Sequence, residues 1–213
     1  MFSKISKAFH HLKTILKHKY WVFHYARMAG IPFRGLVHDL SKFSPTEFFK
    51  SVAWYNGERS PVAGEREVTG FSEIWIHHRG HNPHHFEYWV DKDLRGGVIV
   101  PIIPFKEALE MVCDWLGAGR VYLGKDFSIA KQIEYFDAAT NSPFIHPHTK
   151  QFVWLMYQEL ANAPDKKAVK EVFRKAEDIY CKAFETTVFE NDVVCPVKYR
   201  GFVFVKTGEE QDQ

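Results

Sequence analysis

Apolar residues recur along this chain at steps of three, four and seven rather than in alternation, which predicts helices nearly throughout. In residues 3–29, Ile5, Phe9, Leu12, Leu16, Phe23 and Ala26 form one stripe, and Gly30 and Pro32 end the helix. A shorter helix is predicted over Phe33–Lys42. A third opens at Ser44-Pro45-Thr46-Glu47, with Ser44 as N-cap and Glu47 three residues on, a capping-box arrangement. Gly, Pro, Ser and charge from Tyr55 to Gly70 predict a loop. Phe71, Ile74 and Trp75 then restart a helical face that His78 shares one turn later. Asn82-Pro83 breaks it and caps a further helix to about Val90, and residues 91–103 form a connection.

Pro104–Gly119 is apolar nearly all round, with Phe105, Leu109, Val112 and Leu116 on one side and Met111, Trp115 and Ala118 on the other. That pattern predicts a buried central helix. Further helices are predicted at about 128–139, 147–162 and 165–187. A small C-terminal β-hairpin is expected over residues 193–205, followed by a loose polar tail at 207–213. No repeat or linker divides the chain, so the expectation is one all-α domain over residues 1–213, with its core at about 3–190.

At 213 residues the chain is long enough to bury a core without staples. Three widely spaced cysteines (Cys113, Cys181, Cys195) suggest neither a disulfide framework nor a thiolate zinc site, and a reducing cytoplasm is the expected compartment. A formal charge of +2 is too small to argue for nucleic acid or a membrane, and no apolar run is long enough to span one. No acidic residue precedes Asp39, but the first 26 residues hold no arginine and no cleavage-like segment follows them, unlike a presequence. The 16% aromatic content leaves room for a homodimer interface.

The candidate chemistry gathers around His38-Asp39. A buried carboxylate needs a partner or a metal, and a neighbouring imidazole can bind the same ion. Either His18 or His24 on the preceding helix can face the pair across a helical hairpin, and periodicity does not choose between them. Asp114 interrupts the helix that is apolar on both sides, so it needs a cation or several hydrogen bonds. Five histidines fall between His77 and His85, flanked by Trp75, Phe86 and Trp89. Their helical faces rank His78 and His85 above His77, His81 and His84. Lys42, one turn beyond His38, is placed to meet a phosphate oxygen, or else closes its helix at the surface. Arg79 is a second candidate phosphate contact, and Glu87 a candidate proton donor or partner to a ligand histidine.

The order His18, His38-Asp39 with Leu40-Ser41-Lys42, clustered histidines and Asp114 resembles the pattern of the HD superfamily. His-Asp-Leu-Ser-Lys-Phe-Ser-Pro, the doubled histidines, Glu87-Tyr88-Trp89 and Met111–Trp115 resemble more closely an uncharacterised bacterial and phage family of HD-like proteins, over roughly residues 15–155. The resemblance implies an all-helical fold holding one or two divalent metals. Carried over by position, His18, His38, Asp39 and Asp114 ligate the first, and His78 and His85 extend the site to a second. The chain departs from two-metal members in having no histidine between His38 and His77.

Histidine and carboxylate ligands without thiolate suit Mn, Fe, Zn or Ni. The expected function is a metal-dependent phosphohydrolase acting on a nucleotide or other small phosphate ester through metal-activated water, with Asp39, Lys42 and Glu87 as its catalytic groups. Two alternatives are a di-iron oxygenase on the same scaffold and a non-catalytic, metal-stabilised binding protein.

Overall fold

The structure, a computed structural model, describes residues 4–92, 94 and 97–186. The described residues include ten α-helices, and the fold is all-α. They divide into two units, one of residues 4–83 with 113–128, the other of residues 84–112 with 129–186. No helix among them is long and apolar enough to cross a membrane.

In the first unit, α1 (Lys4–Met28) buries His11, Ile15, His18, Val22, Tyr25 and Ala26. This is not the predicted stripe: Ile5, Phe9 and Leu16 are exposed. Apolar residues line both faces of α1, and the face that its neighbours cover is the one carrying two histidines. Complete burial of Val22 and near-complete burial of Ile15 stabilise this packing by about 1.5–3 kcal/mol each.

Pro32 does not end α1 but begins α2 (Pro32–Val37), occupying the first helical position, where its missing N–H costs nothing. Close approach is built in at Gly35: a Cβ there would stand 2.5 Å from Ala26 Cβ and 3.0 Å from Phe23 Cα. The predicted helix through Lys42 is interrupted. It stops at Val37, and the chain resumes as a 3-10 turn over Leu40–Phe43.

Helix α3 (Pro45–Trp54) packs on α1, α4 and α5. Helix α4 (Pro61–Thr69) lies where a loop was expected. Its helix starts on a proline, and buried Glu65 accepts hydrogen bonds from the Ser72 hydroxyl (2.5 Å) and Ile74 N–H (3.2 Å). Those bonds supply a tertiary reason for order that local composition did not reveal. In α5 (Glu73–His81), Ser72 caps the N-terminus by accepting the Trp75 N–H, while Ile74 and His78 share the buried face. Asn82 is the C-cap of α5 rather than the start of a new helix, and only a 3-10 turn, Phe86–Trp89, follows.

The predicted central helix is α6 (Phe105–Tyr122), in which every residue from Ala108 to Gly117 is buried. Its second half belongs to the first unit. There a Cβ on Gly117 would stand 2.7 Å from Val22 Cγ2 and 3.2 Å from Val22 N, so only glycine lets α6 lie this close to α1. Arg120 secures the same contact by donating to the Tyr25 hydroxyl (3.0 Å) and lying over the Trp21 ring.

The second unit packs α8 (Pro147–Asn162) against α7 (Ile129–Ala139), α9 (Lys166–Arg174) and α10 (Ala176–Thr186). Phe105, Phe152 and Tyr180 form its aromatic centre, and the Tyr180 hydroxyl donates to the Ile103 carbonyl at 2.6 Å. The single helix predicted at 165–187 is two, broken at Lys175. Buried Phe173, Ala176, Tyr180 and Ala183 keep helical spacing across the break, which is why the pattern reads as continuous. Two antiparallel two-residue strands, β1 (Asp91–Lys92) and β2 (Val98–Ile99), are the β structure among the described residues. The hairpin expected at 193–205, the tail at 207–213 and Cys195 lie outside the described residues.

Candidate metal centre

The break after α2 falls on the His-Asp pair. Asp39 has φ +54° and is the one non-glycine residue with positive φ among the described residues. Aspartate tolerates this left-handed conformation better than most side chains. There the chain reverses, and two consecutive side chains converge: His38 Nε2 lies 3.3 Å from Asp39 Oδ2. The Lys19 ammonium fixes the turn by donating to the carbonyls of Leu36 (3.1 Å) and His38 (2.5 Å). Sequence reasoning read Lys19 only as part of a basic helix; nothing local marks it as a turn clamp.

His18 comes from the buried face of α1 and Asp114 from the enclosed stretch of α6. His18 Nε2 stands 2.9 Å from Asp114 Oδ1, 3.3 Å from His38 Nε2 and 3.7 Å from Asp39 Oδ2. His38 Nε2 is also 3.3 Å from Asp114 Oδ1. All four ligand atoms lie within 4.8 Å of one another, and all four residues are buried. His24, the competitor to His18, is exposed.

These spacings fit a metal. Four ligands at about 2.0–2.1 Å from a tetrahedral ion stand about 3.3 Å apart, and the five separations above run from 2.9 to 3.7 Å. The protonation states suit it as well. Burial alone would raise both aspartates. For Asp39 the charges of His38, Lys42 and His78 outweigh it, and for Asp114 the hydrogen bonds and charges of His18 and His38 do; both carboxyls are held well below the usual range. Burial pushes the His18 imidazole below its ordinary value despite the hydrogen bond to Asp114. Ionised carboxylates and a neutral imidazole are the states a divalent ion binds.

Lys42 sits at the edge of the cluster. Its ammonium is 2.5 Å from Asp39 Oδ2 and 31% of its side chain is exposed. Burial would lower its pKa, but the charges of Asp39 and Asp114 raise it, so it stays cationic. One lysine does not neutralise two buried aspartates, leaving a site electrostatically suited to a cation.

His78 lies in the same unit, with Nε2 3.4 Å from Asp39 Oδ1 and Nδ1 3.0 Å from Glu47 Oε2. Sequence reasoning took Glu47 for half of a capping box, and half of it forms: Ser44 accepts the Glu47 N–H at 3.2 Å. The Ser44 N–H, however, bonds to the Ser41 carbonyl, and the Glu47 carboxylate turns inward to His77 and His78. His11, also unflagged, is buried between the rings of Phe48 and Tyr55; burial and then the Lys42 charge push it down to about 4.

His77 is half-buried and His81 exposed. His84, His85 and Glu87 belong to the second unit. There His84 and His85 are both buried with rings 4.3 Å apart, His84 Nδ1 lies 3.3 Å from Glu110 Oε1, and Glu87 is half-buried. Burial therefore does not separate His85 from His84. Arg79 is half-buried on α5.

Fold and site together define an all-helical protein with a buried cluster of two histidines and two aspartates contributed by separate parts of the chain. The chain belongs to a family of unknown function, DUF5662, whose model matches residues 7–159 and so spans all four residues of the cluster. No curated protein and no solved structure matches it.

Proposed function

We propose that the protein is a metal-dependent phosphohydrolase of the HD type, acting on a nucleotide or another small phosphate ester in the cytoplasm. The observation that carries this reading is the joint geometry of His18, His38, Asp39 and Asp114 with Lys42 at their edge. Two imidazole nitrogens and two carboxylate oxygens at these separations fit Mn, Fe, Zn or Ni. Bound there, such an ion supplies Lewis-acid polarisation of a phosphoryl oxygen and makes water acidic enough to act near neutral pH.

The chain's own residues supply the rest. Asp39 and Asp114 carry the negative charge that retains the cation, and His18 and His38 complete the set. Lys42 is held beside Asp39 by its ion pair, with part of its length exposed, so its ammonium meets a phosphate oxygen as a point charge.

The test is metal analysis of untagged protein, followed by assay of each reconstituted metal form on a panel of nucleotides and simple phosphate esters. The reading requires a stoichiometric metal lost in Asp114→Ala, and phosphate or nucleoside release from at least one substrate. Two irons per chain with a coupled spectrum would favour an oxygenase instead. Metal uptake without turnover in any form would favour a metal-stabilised binding protein, for which homodimerisation is the first partner to examine.

A further inference from the structure

Glu47 is 1% exposed, although it lies near the start of α3, where a glutamate ordinarily reaches back to cap its own helix. Its carboxylate instead accepts from His77 Nδ1 at 2.8 Å and from His78 Nδ1 at 3.0 Å. The Ser41 hydroxyl stands 3.3 Å from the same His78 Nδ1. Ser41 Oγ in turn accepts from the Asn82 amide at 2.8 Å, and that amide also donates to the His78 carbonyl at 2.7 Å. Asn82 thus holds the end of α5, Ser41 the turn after Asp39, and Glu47 the start of α3, all around one imidazole.

We infer that Glu47 is a positioning residue that keeps the His78 proton on Nδ1, so that Nε2 presents its lone pair toward Asp39. A carboxylate can only accept hydrogen bonds, so the imidazole nitrogen facing Glu47 must be the one that donates. Whenever the imidazole is neutral, the other nitrogen, 3.4 Å from Asp39 Oδ1, is an acceptor facing an acceptor, an arrangement that a cation between them relieves. A carboxylate behind an imidazole is the usual means by which a protein orients a histidine ligand and raises its basicity. Burying a carboxylate is costly, and an exposed glutamate in the first turn of α3 would serve the capping box without that cost. The inward turn of Glu47 is accounted for by what it does to His78. Its consequence for metal affinity rests on the metal-centre reading proposed above; the tautomer does not.

The experiment is long-range proton–nitrogen correlation NMR of the metal-free protein near neutral pH, with His78 assigned by its loss in His78→Gln. The signal is followed upward in pH until His78 is neutral, and the expected result for that neutral ring is a proton on Nδ1 and none on Nε2; a neutral ring protonated on Nε2 overturns the assignment. In Glu47→Gln, an amide can offer its oxygen to only one imidazole, and the Nε2–H form of His78 should appear. Mn²⁺ affinity, read by electron paramagnetic resonance, should fall about 10- to 100-fold. A folded Glu47→Gln that keeps both the tautomer and the affinity overturns the role. Should Glu47→Gln fail to fold, His77→Ala removes the competing donor and should leave the His78 tautomer intact; a switched tautomer there overturns it. If the wild type shows the Nδ1–H form yet binds no Mn²⁺, the metal-centre reading fails while the orienting role stands.

Discussion

Gly117 lies so close to Val22 that an added methyl group would stand 2.7 Å from the Val22 side chain. Asp114 precedes Gly117 by one helical turn and His18 precedes Val22 by one turn, so this contact sets the height at which the two side chains meet, 2.9 Å apart. Gly117→Ala should therefore be destabilising. The gain in helix propensity is only about 1 kcal/mol, against about 1–3 kcal/mol for overpacking a filled core. Urea unfolding and metal affinity should both worsen, and Val22→Ala in the same chain should recover part of each loss. Additive penalties in that double mutant would show that the contact does not work this way.

Gly35 makes the equivalent approach between α2 and α1, against atoms that cannot swing aside: Ala26 Cβ and the Phe23 backbone. Gly35→Ala should cost more than Gly117→Ala and should displace His38, three residues on. Comparison of the two unfolding midpoints and metal affinities checks the order.

Metal binding to the folded state alone adds stability in proportion to the logarithm of metal over its dissociation constant, about 2.7 kcal/mol at a hundredfold excess. A chelator should lower the melting temperature of the wild type, and added Mn²⁺ should restore it. Asp114→Ala should respond to neither. An equal response in both proteins would mean that the ion binds elsewhere.

His18→Ala and His24→Ala should separate cleanly. His18 faces the cluster from the buried side of α1, while His24 is exposed. The first should lose metal, and the second should retain it with stability changed by no more than about 0.5 kcal/mol.

Acid stability should depend on the second unit as well. Burial pushes His146 down to about 4 and His148 to about 3, from 6.5. Below pH 6.5 the unfolded chain therefore takes up protons that the folded chain refuses, and stability falls as the pH drops toward those values. Above 6.5 neither residue contributes a pH dependence. Each can add a slope of up to about 1.4 kcal/mol per pH unit in that window. Urea titrations between about pH 5 and about pH 7.5 should show this loss, and His148→Gln should flatten it while keeping a donor for the Tyr180 carbonyl that His148 now bonds at 3.0 Å.

Helix periodicity, the enclosed apolar run around Asp114 and the His-Asp pair were legible in the sequence because each is local: a repeat, a composition, a neighbour. The all-α class and most helix positions followed from them. Helix α4 did not, since its order depends on Glu65 reaching Ser72 and Ile74 outside the helix. The break at Asp39 did not either, because left-handed aspartate carries no pattern of its own.

What the sequence determined by itself, then, is which segments are helical and which of them carry ionisable groups into apolar surroundings. Which face of α1 is buried was decided only by tertiary packing. Two apolar faces compete on that helix, and the glycine contacts at Gly35 and Gly117 select the one bearing His18. The same holds for Glu47: the sequence offers it a cap, and the fold gives it two imidazoles. A buried carboxylate takes whatever donors the packing brings within reach, and those donors lie thirty or more residues away in the chain.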